Sequence, residues 1–330
     1  MKLILAPMAT LSHEAFRRTV EDFGGCDEYF TEMINAGSLL HLGPFEKFYL
    51  SGAPVPEKTV RQLTGSRADY MKLATKVITQ NEGIGVDINM GCCAPQIANT
   101  GAGISWMTKP IQETALMIKE VKTELENSAK DGIKPLRLSV KLRLGAENFT
   151  KESLFTFTDM LISEGVEMLT LHPRTQKEKY REKPRWQYAE ELALRYPKIP
   201  VILNGDIKDT KSYIEALKMA PHCAGIMIGR AASQKPWIFK EIKNNLLDNP
   251  EKIELNLEEI ALNFINNVER YQPEEFWKTR LQRFFAYYSL NMSFSHYFAT
   301  QLTNAQNIQD SRNRLTEYFQ KCPEDKIKIL

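Results

Sequence analysis

One alternation constrains this chain more than any other feature: eight short apolar runs recur along it, and a stretch of helical character follows each. The runs occupy residues 2–7, 28–33, 59–63, 86–90, 136–144, 167–172, 199–203 and 224–228. Val201-Ile202-Leu203 and Gly225-Ile226-Met227-Ile228 show no polar alternation, so these strands are expected to be buried on both faces, as parallel strands are. Between the runs, residues 99–129 place Ile111, Ala115, Ile118, Val121 and Leu125 at helical spacing, and residues 151–164 do so with Leu154, Phe157 and Leu161. Eight such units in about 240 residues predict an α/β fold, a (β/α)8 TIM barrel. The competing architecture, an open doubly wound sheet, normally carries a glycine-rich turn after its first strand. Here that strand ends in Ala6-Pro7-Met8-Ala9.

The rhythm changes after Trp237. Residues 241–330 contain no glycine, and Leu257, Ile260, Ala261, Phe264 and Val268 fall on one helical face. A second stretch runs from Trp277 to Ser289, with Pro273 and Asn291 as breakpoints, so a C-terminal all-α helical bundle is expected. The division is a barrel over residues 1–240 and a helical domain over 241–330. A hydrophobic share of 43% and a charged share of 25% are ordinary for a globular protein. Lys and Arg number 43 against 41 Asp and Glu, which excludes a strongly basic chain but not a local basic surface. The five cysteines, Cys26, Cys92, Cys93, Cys223 and Cys322, have neither disulfide-scaffold nor zinc spacing and read as free thiols. With no membrane-length apolar run and a first strand beginning at Lys2 or Leu3, a cytoplasmic protein without a membrane partner is expected.

In such a barrel the active site gathers at the carboxyl ends of the strands. Those ends carry Pro7-Met8, Thr31-Glu32, Gln62, Asn89 with Cys92, Lys141 with Arg143, His172 with Arg174, Asn204-Gly205-Asp206, and Gly229-Arg230. The last two groups follow strands seven and eight, where these barrels commonly bind a phosphate. Gly205 and Gly229 let backbone N–H groups approach an anion, and Arg230 adds a charge-assisted contact. Lys141 alternates with Val140 and Leu142 inside a strand, and a lysine pointing into a barrel needs an anionic or hydrogen-bonding partner. The reduced edge of a flavin is one such partner; a neighbouring carboxylate is another.

These segments, in this order and spacing, resemble the tRNA-dihydrouridine synthases: Leu5-Ala6-Pro7-Met8, Thr31-Glu32-Met33, Gln62-Leu63-Thr64-Gly65, Asp87-Ile88-Asn89-Met90-Gly91-Cys92, Val140-Lys141-Leu142-Arg143, His172-Pro173-Arg174-Thr175, Asn204-Gly205-Asp206 and Ile228-Gly229-Arg230. The resemblance covers roughly residues 3–239, and the helical tail resembles the family's RNA-binding bundle. It implies an FMN cofactor, NADPH (or NADH) as reductant, and reduction of the C5–C6 double bond of uridine in tRNA, with rRNA as a further substrate left open. Pro7, Met8, Ala9 and Gln62 would meet the flavin ring, Lys141 and His172 its polar edge and side chain, and Asn204, Gly205, Asp206, Gly229 and Arg230 its phosphate. Asn89 and Arg174 would place the uracil. Hydride delivered to C6 requires a proton at C5, and a thiol mostly protonated at neutral pH can donate it, which makes Cys92 a general acid. Cys93 and Gln96 stand where the family carries Pro and Lys, which loosens the loop and removes a charge.

For RNA contact, residues 174–185 offer Arg174, Lys177, Lys179, Arg181, Lys183 and Arg185, with Tyr180 and Trp186 as stacking aromatics. Arg270, Lys278, Arg280, Arg283, Arg312 and Arg314 offer a second patch in the tail. A monomer is expected. Two rival readings remain at this level: a flavin barrel acting on a free pyrimidine or dihydroorotate, and an RNA-binding homologue whose catalysis has lapsed.

Overall fold

A computed structural model describes residues 1–129 and 135–330. Eight strands close a parallel barrel in sequence order: β1 (Lys2–Leu5), β2 (Glu28–Asn35), β3 (Thr59–Thr64), β4 (Gly85–Met90), β5 (Arg137–Gly145), β6 (Met168–Thr175), β7 (Val201–Asn204) and β8 (Gly225–Ile228). The barrel shuts where β1 pairs with β8, from Lys2 opposite Gly225 to Leu5 opposite Ile228. The strands expected from the apolar runs are all present, each within a few residues of its expected bounds.

Alternation along each strand sorts side chains into two sets. Inside the barrel, Ile4, Phe30, Val60, Met168, Ile202 and Met227 form a small apolar plug. Above the plug, the next inward positions are polar: Gln62, Asp87, Asn89, Ser139, His172 and Arg174 are all buried. The outward set, among them Leu3, Leu5, Leu63, Val86, Leu138 and Leu169, packs under the surrounding helices. At the amino end the inward positions Lys2, Glu28 and Arg137 are paired with one another, so the apolar plug separates that ionic cluster from the polar layer at the carboxyl end.

Residues 99–129 are not one helical stretch. The chain makes a tight turn at Gly101 (φ 81°) and Gly103 (φ 60°), passes through a 3₁₀ segment Gly103–Met107, and starts its helix at Ile111 after Pro110. Glycine is required at 103, where a Cβ would lie 2.6 Å from the carbonyl oxygen of Cys92. The apolar stripe read from the sequence belongs to the helix Ile111–Asn127 alone.

The tail is helical, with Leu257–Tyr271, Glu274–Tyr288, Ser295–Thr303 and Ile308–Lys321 as its main elements. Pro273 separates the first two, as its missing N–H and fixed φ dictate. One addition escapes the periodicity: β9 (Glu254–Asn256) and β10 (Ile327–Ile329) pair antiparallel and tie the chain end back to the start of the tail. Strands of three residues are too short to show a period of two. The tail packs on the β1–β2 flank of the barrel, where Phe264 and Phe284 meet Phe16 at ring separations of 6.5 and 6.0 Å. The helix Ile238–Asn245 runs through position 240.

Candidate active site

The β3–β5 side of the mouth is a directed relay of hydrogen bonds. The Asp87 carboxylate accepts from Gln62 Nε2 and from Ser139 Oγ, each at 2.7 Å. Burial pushes its pKa up to about 6, against the pull of those two donors, so it remains ionised at neutral pH and only accepts. Gln62 must therefore point its amide nitrogen at Asp87 and its oxygen at Asn89 Nδ2, 2.8 Å away. Asn89 in turn must aim Oδ1 outward, where it accepts the backbone N–H groups of Gly91 (3.2 Å) and Cys92 (2.9 Å). The carboxylate at the bottom thus sets every amide above it and ends by gripping the Cys92 backbone.

Cys92 itself is half-buried, and burial raises its thiol pKa. A thiol shifted upward is protonated at neutral pH, which suits a proton donor and not a nucleophile. The backbone N–H of Ala94 is directed at the Cys92 sulfur and opposes that rise; Cys93 is also half-buried.

Lys141 stands between the two sides. Its ammonium lies deep in the mouth, where burial, reinforced by the Arg143 charge, lowers its pKa to about 8. Among the described residues it has no hydrogen-bond or ion-pair partner, the Asp87 carboxylate being already satisfied by Gln62 and Ser139. The carboxylate alternative for this lysine is therefore not what the structure shows. Arg143 braces the neighbouring loops through the carbonyls of Gly91 (3.0 Å), Thr175 (3.2 Å) and Lys179 (3.1 Å).

The β6–β8 side is built from charge. Arg174 is buried and donates to both oxygens of Asp206, at 3.1 and 2.5 Å, and to the carbonyl of Glu182 at 2.5 Å. Its Nη1 also lies 3.0 Å from His172 Nε2. Arginine can only donate, so Nε2 accepts and the imidazole proton sits on Nδ1. Burial, with Lys141, Arg143, Arg174 and Arg230 nearby, holds the His172 pKa well below its ordinary value, which keeps the ring neutral. Asp206 takes the left-handed backbone (φ 55°) after Gly205 (φ 128°), and Arg230 reaches it at 3.1 Å. A Cβ at Gly205 would sit 3.1 Å from His172 Cδ2, so the turn is a tight cradle. Asn204 is tied down through Nδ2 to the Met227 carbonyl at 2.8 Å. Pro7, Met8 and Ala9 line the rim beside Gly229, whose added Cβ would touch Met8 Sδ at 3.4 Å.

Three sequence expectations change. Trp186 is half-buried and bonds through Nε1 to the Gly205 carbonyl at 3.0 Å, bracing the cradle instead of offering a stacking face. Arg280 is buried against Glu32 and so leaves the expected surface patch. Arg312 and Arg314 are ion-paired with Glu269 and Asp310, so Arg270, Lys278 and Arg283 are its exposed members. On the β6 loop, Lys177, Lys179, Tyr180, Arg181 and Lys183 are exposed as expected. Sequence reasoning passes over Asp87 and Ser139 as site residues. Their signal is present all the same, since both lie at inward register positions of β4 and β5 and pair with one another.

A search of known families matches residues 4–325 to the dihydrouridine synthases. Among curated relatives, a protein of Helicobacter pylori is 35% identical over 259 residues, 77% of this chain and 74% of the relative. One from Aquifex aeolicus is 33% identical over 267 residues, covering 79% of both chains. A Staphylococcus aureus protein is 27% identical over 332 residues, 99% of this chain and 95% of the relative. All three are described as probable tRNA-dihydrouridine synthases. Among solved structures, morphinone reductase has a TM-score of 0.52 at 11% identity, over 74% of this chain and 87% of that one, which supports the barrel fold alone.

Proposed function

The chain belongs to the dihydrouridine synthase family, and from that premise we propose that it reduces uridine in tRNA to dihydrouridine, using FMN and NADPH, with Cys92 as the proton donor. The observation that carries the reading is the single mouth that holds Lys141, half-buried and without a hydrogen-bond or ion-pair partner among the described residues, together with a neutral His172, a cationic cradle and a protonated thiol.

These residues fit a flavin mononucleotide. Lys141 has no partner among the described residues and would find one in the polar edge of the ring, with the Nδ1–H of His172 beside it. The Asn204–Asp206 turn, Gly229 and Arg230 would hold the phosphate, Arg230 exchanging part of its contact with Asp206 for the anion. Pro7, Met8 and Ala9 would border the ring with Gln62 below, its amide locked by Asp87. A flavin held by these residues would supply hydride chemistry, with a reduced nicotinamide as the source of electrons and C6 of uracil as the acceptor.

The protein's part is orientation and the proton. Cys92 Sγ–H would protonate C5, so that one hydride and one proton saturate the double bond. Asn89 and Arg174 would hold the base carbonyls. By donor count each keeps an N–H that no described residue accepts, the second Nδ2 hydrogen of Asn89 and one on Nη2 of Arg174. A base in a duplex or folded loop must leave its stack to enter, and the exposed lysines and Tyr180 of the β6 loop, with Arg270, Lys278 and Arg283 on the helical tail, would hold the RNA around it.

The test is direct. Purified protein should show flavin absorbance that NADPH bleaches, and pre-reduced enzyme should convert uridine in unmodified tRNA, read by mass spectrometry. Protein without flavin bands after reconstitution with FMN would overturn the proposal.

A further inference from the structure

The tail and barrel are held together in two chemically different ways. Most of the contact is apolar: Phe16 on the first barrel helix packs against Phe264 and Phe284, and the buried ring of His13 lies 6.1 Å from Phe264. Polar contacts at the edges, the pairs Lys243–Asp27 and Lys235–Glu241 and the hydrogen bonds of Asn263 to Asp22 and Asn267 to Thr19, add to it, and one ion pair with both partners buried is inserted. Arg280 Nη1, on the helix Glu274–Tyr288, donates to Glu32 Oε1 at 2.6 Å, and both side chains are under a tenth exposed. The same oxygen accepts the backbone N–H of Thr10 at 2.5 Å. Thr10 directly follows Pro7-Met8-Ala9 and sits in the left-handed region at φ 63°, which a β-branched residue adopts only when held.

A buried ion pair adds little to stability compared with an apolar pair of the same shape, because desolvation cancels most of the attraction. This one is not even fully satisfied, since Arg280 Nε and the neighbouring His13 Nε2 have no partner among the described residues. The apolar contact already supplies adhesion. What charge adds is direction, and here it connects the tail helix to the rim loop through one carboxylate.

We propose that Glu32 and Arg280 are positioning residues for the reduction of RNA-held uridine: the pair is a joint by which the helical domain fixes the Pro7–Thr10 loop at the mouth. The proposal rests on the tRNA-reductase reading and deepens it. Glu32 lies in the carboxyl half of β2, three residues before its end, yet its side chain turns to Thr10 and Arg280. Its service to the site is therefore indirect.

The experiment compares Arg280→Met, Arg280→Lys, Glu32→Gln and the double variant Glu32→Gln/Arg280→Met in the full chain. Thermal midpoint, flavin content, tRNA affinity and single-turnover reduction of tRNA by pre-reduced enzyme are measured for each. Arg280→Met strands a buried carboxylate and should lose midpoint. The double variant has no buried charge and should regain it. Expected is a reduction rate at least tenfold below the unaltered protein in both, with tRNA affinity within about threefold, and a largely restored rate in Arg280→Lys. A double variant that recovers both midpoint and rate makes the pair merely structural and overturns the proposal, as does an Arg280→Met enzyme of undiminished rate. Rates that fall only in step with flavin content or tRNA affinity overturn it as well. If the unaltered protein itself fails to reduce tRNA, the functional reading has failed instead.

Discussion

On the β3–β5 side of the mouth, Gln62, Asn89 and Cys92 are held by amide hydrogen bonds that run in one direction from Asp87. On the β6–β8 side, His172, Arg174, Asp206 and Arg230 are held by charge. The two constructions suit different tasks. An amide relay fixes geometry, and burial of the thiol outweighs the pull of Arg143 and Lys141 and keeps its proton on. A charged cluster fixes geometry less stringently, because an anion can enter by taking over one of its ion pairs. On the proposed reading the first side would place an atom, and the second would receive a ligand.

The largest effect that separates the sides should come from Cys92→Ala. Flavin content and NADPH oxidation should persist while single-turnover tRNA reduction falls about 10²–10⁴-fold, the usual worth of a positioned acid. Full activity in that variant would assign the proton to another donor. Next is Asp87→Asn, which lets the Gln62 amide turn over and releases Asn89 from Cys92. A rate loss of about tenfold to 10²-fold is expected from a small displacement of the reacting group. Preserved rate would show that the relay is not what places the thiol.

On the charged side, Arg230→Ala should weaken FMN retention by about 1.5 kcal/mol, the low end for a hydrogen bond to a charged group because this guanidinium is half-exposed. Equilibrium titration of apoprotein with FMN reads it, and unchanged affinity would remove Arg230 from the phosphate. A pH titration tests the same side more gently. Lys141 has a lowered pKa of about 8 in the ligand-free protein, and an anionic partner raises it. FMN affinity should therefore be at its fullest below pH 8 and decline as pH rises through that value. Reduction by Cys92 should persist to higher pH, since its pKa lies above the ordinary thiol value. The smallest effect is Cys93→Ala, expected within about twofold because no described residue bonds to that side chain. Inactivity there, with active Cys92→Ala, would place the donor one residue further on.

Much of the fold and of the mouth is legible in the amino-acid sequence. Parallel strands buried on both faces leave continuous apolar runs, so the eight strands show plainly, and the polar residues just past each run mark the mouth. Helical periodicity and the absence of glycine mark the tail. The ribbon β9–β10 does not show, because three residues carry no period. Nor does the break at Gly101 and Gly103, since a helical stripe beginning at Ile111 has no mark for what precedes it.

Pairing across elements is the other thing the sequence hides. Local sequence states which side chains a strand end carries, since the alternation of Cβ directions is a property of one chain segment. It does not state which of them meet. Arg174 and Asp206 lie 32 residues apart and Glu32 and Arg280 lie 248 apart, and each pair could as well have faced solvent or RNA. Only closing the barrel and seating the tail decided that Asp87 governs Gln62, that Lys141 finds no partner among the described residues, and that Arg280 is spent on the barrel. Those outcomes depend on where desolvated charges find partners, which is settled by the whole fold and by no segment of it.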